Sequence, residues 1–405
     1  MTKTILDIHI LQTVPPSNLN RDDTGTPKSA VYGGVRRARV SSQAWKRATR
    51  KAFSGLLDDS ELGVRTKKVA EVLAGRIVAL DASLSSEVAY ELAAETMRVA
   101  TGSKIEVPKR KAKDNEDGAN GSAPESAYLM FLSARQLRGL AELTVEGGKG
   151  GDLAALKDFL KAKENKARAR QLVDTQHSVD IALFGRMVAD ATDLNVDAAA
   201  QVAHALSVHA VEVESDYFTA VDDENTDAEM GAGMIGSVDF NSATLYRYAA
   251  VDVDRLQENL GTSLREGQSA AEPTRRAVAA FLEGFITSLP TGKINTFGNH
   301  TLPATVIVKL RSRRPISFVG AFEQPVPAGE TGGFLRRSCE QLAQYVPDLE
   351  RTYGLTGEAQ SWVLRVGEET EALAALGKEM GLSELVTAVG EAVSARLEPE
   401  AEPAV

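Results

Sequence analysis

Leu6, Ile8 and Ile10 alternate with Asp7 and His9 near the start of the chain, a period of two that predicts a strand over roughly 4–14. Pro15-Pro16-Ser17-Asn18 should end it, and the polar stretch from Leu19 to Val40, with Gly25, Pro27, Gly33 and Gly34, reads as a long loop. Ser41-Ser42 then offers an N-cap to a helix over 43–53 whose apolar side is Ala44, Trp45, Ala48 and Ala52. Helical patterning dominates 58–177, with stretches at 64–82, 85–100, 125–142 and 152–173. The basic run Lys109-Arg110-Lys111-Ala112-Lys113, the low-complexity residues 114–121 and the glycine-rich turn 147–151 interrupt it. Further strands are expected at 179–184, 211–218, 240–253 and 305–310, and helices at 196–209, 272–288, 333–346 and 383–396. In the 240–253 strand Tyr246 and Tyr248 share one face, with Leu245 and Arg247 on the other. The result is an α+β core with a helical block inserted after its first strand and helix, and a frayed acidic tail from about 396.

Composition changes this picture little. Hydrophobic residues make up 43% and charged residues 25% of 405 residues, ordinary for a globular protein. The single cysteine, Cys339, excludes an intrachain disulfide and a cysteine-based zinc site. No apolar run approaches the length of a membrane span and no leader is evident, so the expected location is the cytoplasm, with no membrane partner. Charge changes more. The net charge is −10, yet Thr24 to Leu57 holds eight cations and no acid, leaving −18 for the rest. A basic island in an acidic chain points to a local anionic ligand.

Most chemical motifs fail on context. Gly231-Ala232-Gly233-Met234-Ile235-Gly236 spells a dinucleotide fingerprint but lies between an acidic loop and a strand, so no cofactor is expected. The 223–234 segment lacks the glycine and glutamate of a calcium loop, and the five histidines have no metal-ligand spacing. On the expected 196–209 helix, His204 and His209 would sit five apart, off a common face. No nucleophile elbow, phosphate loop or zinc-protease motif occurs, and nothing argues for catalysis. The basic island remains. Lys46 and Arg50 form one row of its helix, Arg47 and Lys51 a second, and the helix N-terminus adds backbone N–H groups and a dipole. Arg21 and Lys28 in the preceding loop extend a track suited to consecutive phosphates. Tyr217 and Phe218, at the lip of the acidic loop, are candidates for stacking on bases. The 109–113 cluster is either a second contact or a solvated loop tip.

Together these residues resemble a family. Asn20-Arg21-Asp22-Asp23, the run from Gly33 to Gln43, Lys46-Arg47-Ala48, Val179 to Leu183, Gly185-Arg186-Met187, Phe218 to Asp223, Tyr246-Arg247-Tyr248 and Leu256 to Leu260 are similar to the CasC family, the backbone subunits of the type I-E CRISPR Cascade complex. The resemblance implies a modified RNA-recognition-motif (ferredoxin-like) palm at 1–57, 178–211 and 241–395. It also implies helical fingers at 58–177, a β-ribbon thumb at 212–240 and an acidic tail at 396–405. It implies a non-enzymatic role: several copies polymerise head to tail on CRISPR RNA beside other Cascade subunits and present the guide to target DNA. Arg21, Lys28, Ser41, Gln43, Lys46 and Arg50 match RNA-contacting positions, and Met187, Phe218 and Thr219 match a wedge that displaces bases periodically. The sheet strands carry no motif for stacking bases on the sheet face. Two other readings stand beside this one. The first is a metal-dependent RNA-cleaving backbone subunit using Asp22 or Asp23; the second is a nucleic-acid-binding protein that does not assemble.

Overall fold

A computed structural model describes residues 3–108, 123–188, 192–220, 234–261, 269, 271–330 and 333–398. The 109–113 cluster, the acidic loop 222–229, the first half of the glycine motif and the end of the tail lie outside them. The fold is mixed α+β and divides into two compact units, one of 1–53, 201–254 and 278–405, the other of 54–200 and 255–277.

The first unit is built on a ten-stranded sheet. Strand β1 (Ile5–Ser17) lies between Thr305–Arg311 and the 19-residue strand Met234–Asp252, antiparallel to both. Beyond Met234–Asp252 come Ala205–Ser207, β3 (Val35–Val40) and β2 (Ser29–Tyr32); beyond Thr305–Arg311 come Gln360–Arg365 and Lys378–Glu379. As the alternation requires, Tyr246 and Tyr248 join Phe318, Phe322, Cys339 and Leu342 in one core. Arg247 points the other way, its guanidinium 3.7 Å over the ring of Trp45 and also over Phe285. Trp45 belongs to helix α1 (Ser42–Ala52), so the buried arginine seats that helix on the sheet.

Several expectations needed correction. Strand β1 does not stop at Pro15-Pro16. Val14 pairs with Ala243 and Ser17 with Asn241, so the two prolines occupy a bulge, where a missing ladder donor costs least. The expected loop from Leu19 to Val40 contains the β2–β3 hairpin, in which Tyr32 pairs with Val35 across Gly33 and Gly34. Both glycines have positive φ, as a two-residue hairpin turn demands. Residues 179–184 are a helix, Val179–Phe184, rather than a strand. An apolar run buried on every side has no period to tell the two apart. The alanine-rich 196–209 segment is not a helix; Ala205–Ser207 pairs with both β3 and Met234–Asp252. Sheet pairing there overrides helix propensity.

The second unit is chiefly helical, with cores contributed by Val69–Leu80, Ser86–Thr101, Ala134–Gly148, Leu153–Lys161 and Lys163–Asp174. Leu73, Ile77, Leu92, Met97, Leu140 and Leu156 are buried in one cluster. The stretches expected to be helical at 64–82 and 125–142 begin instead as short strands, Gly63–Thr66 paired with Met130–Ser133. Ser133 then caps its helix reciprocally with Gln136.

Candidate nucleic-acid interface

The first unit carries an open cleft of about 620 Å³ between the 19–28 loop, α1 and the segment 289–292. Arg21, Lys28, Ser41, Gln43, Arg47 and Lys51 line it, and no aspartate or glutamate does. Among the described residues, the side chains of Arg21, Lys28 and Arg47 form no ion pair. Four cations facing one cleft with no acid on its walls is the arrangement that attracts a polyanion.

Local sequence explains the cleft. Asn20 Oδ1 accepts from both the Ser41 amide (2.9 Å) and its hydroxyl (2.6 Å), pinning the loop to the start of α1. Asp22 Oδ1 accepts from the Thr24 amide and hydroxyl and from the Thr26 amide, closing the turn that follows Arg21. Those bonds hold the Asp22 carboxyl below its ordinary pKa. On the far wall Gly292 is obligatory, because a Cβ there would lie 2.3 Å from the Leu19 carbonyl oxygen.

The helix end contributes less than its sequence suggests. The Ser42 amide donates to His204 Nδ1 (3.0 Å), the Ala44 amide turns back to the Ser41 carbonyl (2.9 Å), and the Ser41 hydroxyl is spent on Asn20. Side-chain charge, rather than bare helix amides, therefore makes the cleft cationic. Of the eight cations in the island, Arg37 is wholly buried and donates to the carbonyls of Tyr32, Ser207, Phe322 and Glu323. It holds the hairpin in place.

The structure thus brings Arg21, Lys28, Ser41 and Gln43 together. Lys46 and Arg50 are half-buried on the neighbouring row of α1 and do not line the cleft; burial lowers the Lys46 pKa. Sequence reasoning passed over the row that does, Arg47 and Lys51, because both rows have the same spacing. Only the orientation set by Trp45 distinguishes them. It also missed Asn20 as a brace, and the 289–292 wall, whose Pro290-Thr291-Gly292 turn was the available signal. Nothing in the sequence marked His204.

A β-ribbon of Glu214–Ala220 against the start of Met234–Asp252 rises from the same unit. Tyr217 is 64% exposed and Phe218 38%. Phe218 faces Gly236 across the ribbon and its ring fills the space a side chain there would take, a Cβ at Gly236 lying 2.5 Å from the ring. Thr219, next along, is exposed. At the ribbon's root Asp239 accepts from Thr26 (2.7 Å) and Ser215 (2.7 Å), tying the ribbon to the loop that carries Arg21. Met187 belongs to the other unit, where it is 83% exposed. No group of acids, histidines or cysteines suited to a metal occurs among the described residues, nor any helix long and apolar enough to cross a membrane.

Comparison with known proteins follows the same line. Curated protein sequences give no match. A chain described as "CRISPR RNA-guided surveillance complex, pre-nicking" is 34% identical, with a TM-score of 0.79 over 96% of this chain and all of that one. A second, described as "CRISPR RNA-guided surveillance complex", is 30% identical, with a TM-score of 0.68 over 95% of this chain and 99% of that one. The family profile of the CT1975-like proteins matches residues 6–388. With that match across nearly its whole length, the chain belongs to the CT1975-like family.

Proposed function

We propose that this chain is a subunit of a CRISPR RNA-guided surveillance complex, and within it the guide-holding backbone of a type I-E Cascade. The observation that carries the reading is the acid-free cleft with Arg21, Lys28, Arg47 and Lys51 on its walls. Phosphates are identical along any guide, so a cationic track holds every spacer equally and leaves sequence reading to base pairing with target DNA. The similarity to chains of surveillance complexes over nearly the full length supports the same reading. In this account the sheet unit is the RNA-recognition-motif-like palm, the helical unit the fingers and the ribbon the thumb. Copies stack head to tail along one RNA in the cytoplasm, with Met187, Phe218 and Thr219 parting the bases at intervals. In this account the subunit binds rather than cuts; of the two acids a cutting subunit would use, Asp22 closes its own turn through Oδ1. A metal-dependent nuclease assay on single-stranded RNA should show no cleavage that Asp23→Ala removes.

The test is to co-express the chain with its genomic neighbours and a CRISPR RNA and to purify it by a tag. Recovery of a large assembly with several copies and a protected guide is expected. A lone monomer without RNA would refute the proposal.

A further inference from the structure

In the helical unit the segment Gly185–Val188 is fastened on both sides of a single exposed residue. Gly185 has φ +79°, and a Cβ there would meet the Val196 carbonyl oxygen at 2.7 Å, so only glycine allows the approach. Arg186 exchanges both backbone hydrogen bonds with Val196 (3.0 and 2.8 Å), and its Nε donates to the Leu194 carbonyl (2.7 Å). The Val188 amide donates to Asn195 Oδ1 at 2.6 Å, and the Val188 side chain sits in the core. Between Arg186, 5% exposed, and Val188, 8% exposed, stands Met187 at 83%.

One exposed methionine needs no explanation. Its mounting does. The Arg186 guanidinium is buried, and among the described residues its two Nη atoms have no hydrogen-bond partner. The Asp174 carboxylate acts on this cation only at a distance, and burial still lowers its pKa to about 10. A buried cation with no contacting carboxylate is destabilising, and an apolar side chain of similar volume would usually serve the fold better. Stability therefore does not explain this arginine, whereas its Nε bond fixes the backbone on one side of Met187 as Asn195 fixes the other. We infer that Arg186 and Asn195 are positioning residues that hold Met187 as a pre-set apolar wedge against a base step of bound single-stranded RNA. The inference rests on the RNA-binding reading above. A wedge held before RNA arrives parts the bases without first ordering a loop, a cost of binding thereby avoided.

The experiment uses the full chain in its assembled complex, on RNA carrying 2-aminopurine at successive positions, with fluorescence reporting where a base is unstacked. Met187→Ala is expected to abolish the enhancement at the parted steps. Asn195→Ala and Arg186→Met should reduce it by about fivefold, the factor that one lost hydrogen bond makes in a local equilibrium. Asn195→Asp, which keeps an oxygen for the Val188 amide, should restore it. The thermal midpoint of Arg186→Met should be unchanged or raised, which a purely structural role would not allow. Loss of signal in Met187→Ala with full signal in Asn195→Ala and Arg186→Met would overturn the positioning inference alone. Full signal in Met187→Ala would overturn the wedge itself.

Discussion

The two compact units bury their interiors differently. The helical unit is held chiefly by aliphatic packing, with Thr96 and Thr144 in its core satisfying each other at 2.9 Å and with Gln136, Asp180 and Arg186 as its larger buried polar side chains. The sheet unit encloses Asp7, His9, Gln12, Arg37, Arg247, Lys309 and Arg311. Arg311 binds Asp7 at 2.8 Å and Glu350 at 3.0 Å, Lys309 binds Glu350 at 2.9 Å, and the Tyr248 hydroxyl donates to Asp7 at 2.8 Å. The Phe318 amide donates to the Tyr246 hydroxyl, which also shares a hydrogen bond with His9 Nδ1 at 2.9 Å. Burial holds that histidine neutral. Apolar packing tolerates small shifts, whereas a buried polar network is correct in one geometry only. The unit that presents a cleft of fixed charge spacing is the one with the geometrically exacting interior.

The largest effects should come from substitutions at the centres of the two interiors. Leu92→Ala in the helical unit should cost about 3 kcal/mol of stability, from lost burial and the cavity left behind, while leaving RNA affinity of the folded fraction unchanged. Arg247→Ala should cost a similar amount, because it unseats Trp45 and strands Gln12 Oε1, to which Arg247 Nη1 donates at 2.6 Å. It should also weaken RNA binding, since α1 rests on that contact. Urea denaturation paired with binding isotherms would show the contrast; equal binding losses in both variants would erase it.

A smaller effect is set by pH. Burial, opposed by Arg311, pushes the Asp7 pKa up to about 6 from an ordinary value of 3.8. The folded state thus favours the protonated carboxyl, and stability present below pH 4 is lost as pH rises through about 6. Asp7→Asn removes the titration. Relative to that variant the natural protein should therefore lose stability between pH 4.5 and pH 7.5. Urea midpoints at the two values would check it, and a difference that does not change with pH would remove Asp7 from the account.

The smallest effect belongs to the ribbon. Gly236→Ala would lift the Phe218 ring off its cross-strand seat, with stability nearly unchanged because the obstructing atoms are the far end of a side chain. Base accessibility along bound RNA should change in chemical footprints, while affinity should not. Unaltered footprints would separate the Phe218 seat from the wedge.

Much of this was legible in the sequence for identifiable reasons. The central strands alternate cleanly, and the tyrosine and arginine faces of Met234–Asp252 follow from that alternation alone. The cationic character of the 24–57 island was equally open. What stayed hidden depended on partners distant in the chain. His204 occupies a helix amide that local reading leaves free, and Arg37 counts as surface charge until four carbonyls close around it. The β2–β3 hairpin was spelled by Gly33-Gly34 but masked by its many cations. Residues 179–184 and 196–209 were misread because complete burial and alanine content erase the period on which such reading depends.

The most direct test of the central claim measures the salt dependence of RNA affinity for two paired variants on the same helix. If the cleft is the phosphate track, Arg47→Ala with Lys51→Ala should flatten the slope of log K against log salt by about 0.7 for each cation lost, equally for unrelated RNA sequences. Lys46→Ala with Arg50→Ala, on the row away from the cleft, should change it less. An unchanged slope in the first pair, or a larger change in the second, would contradict the assignment of the cleft.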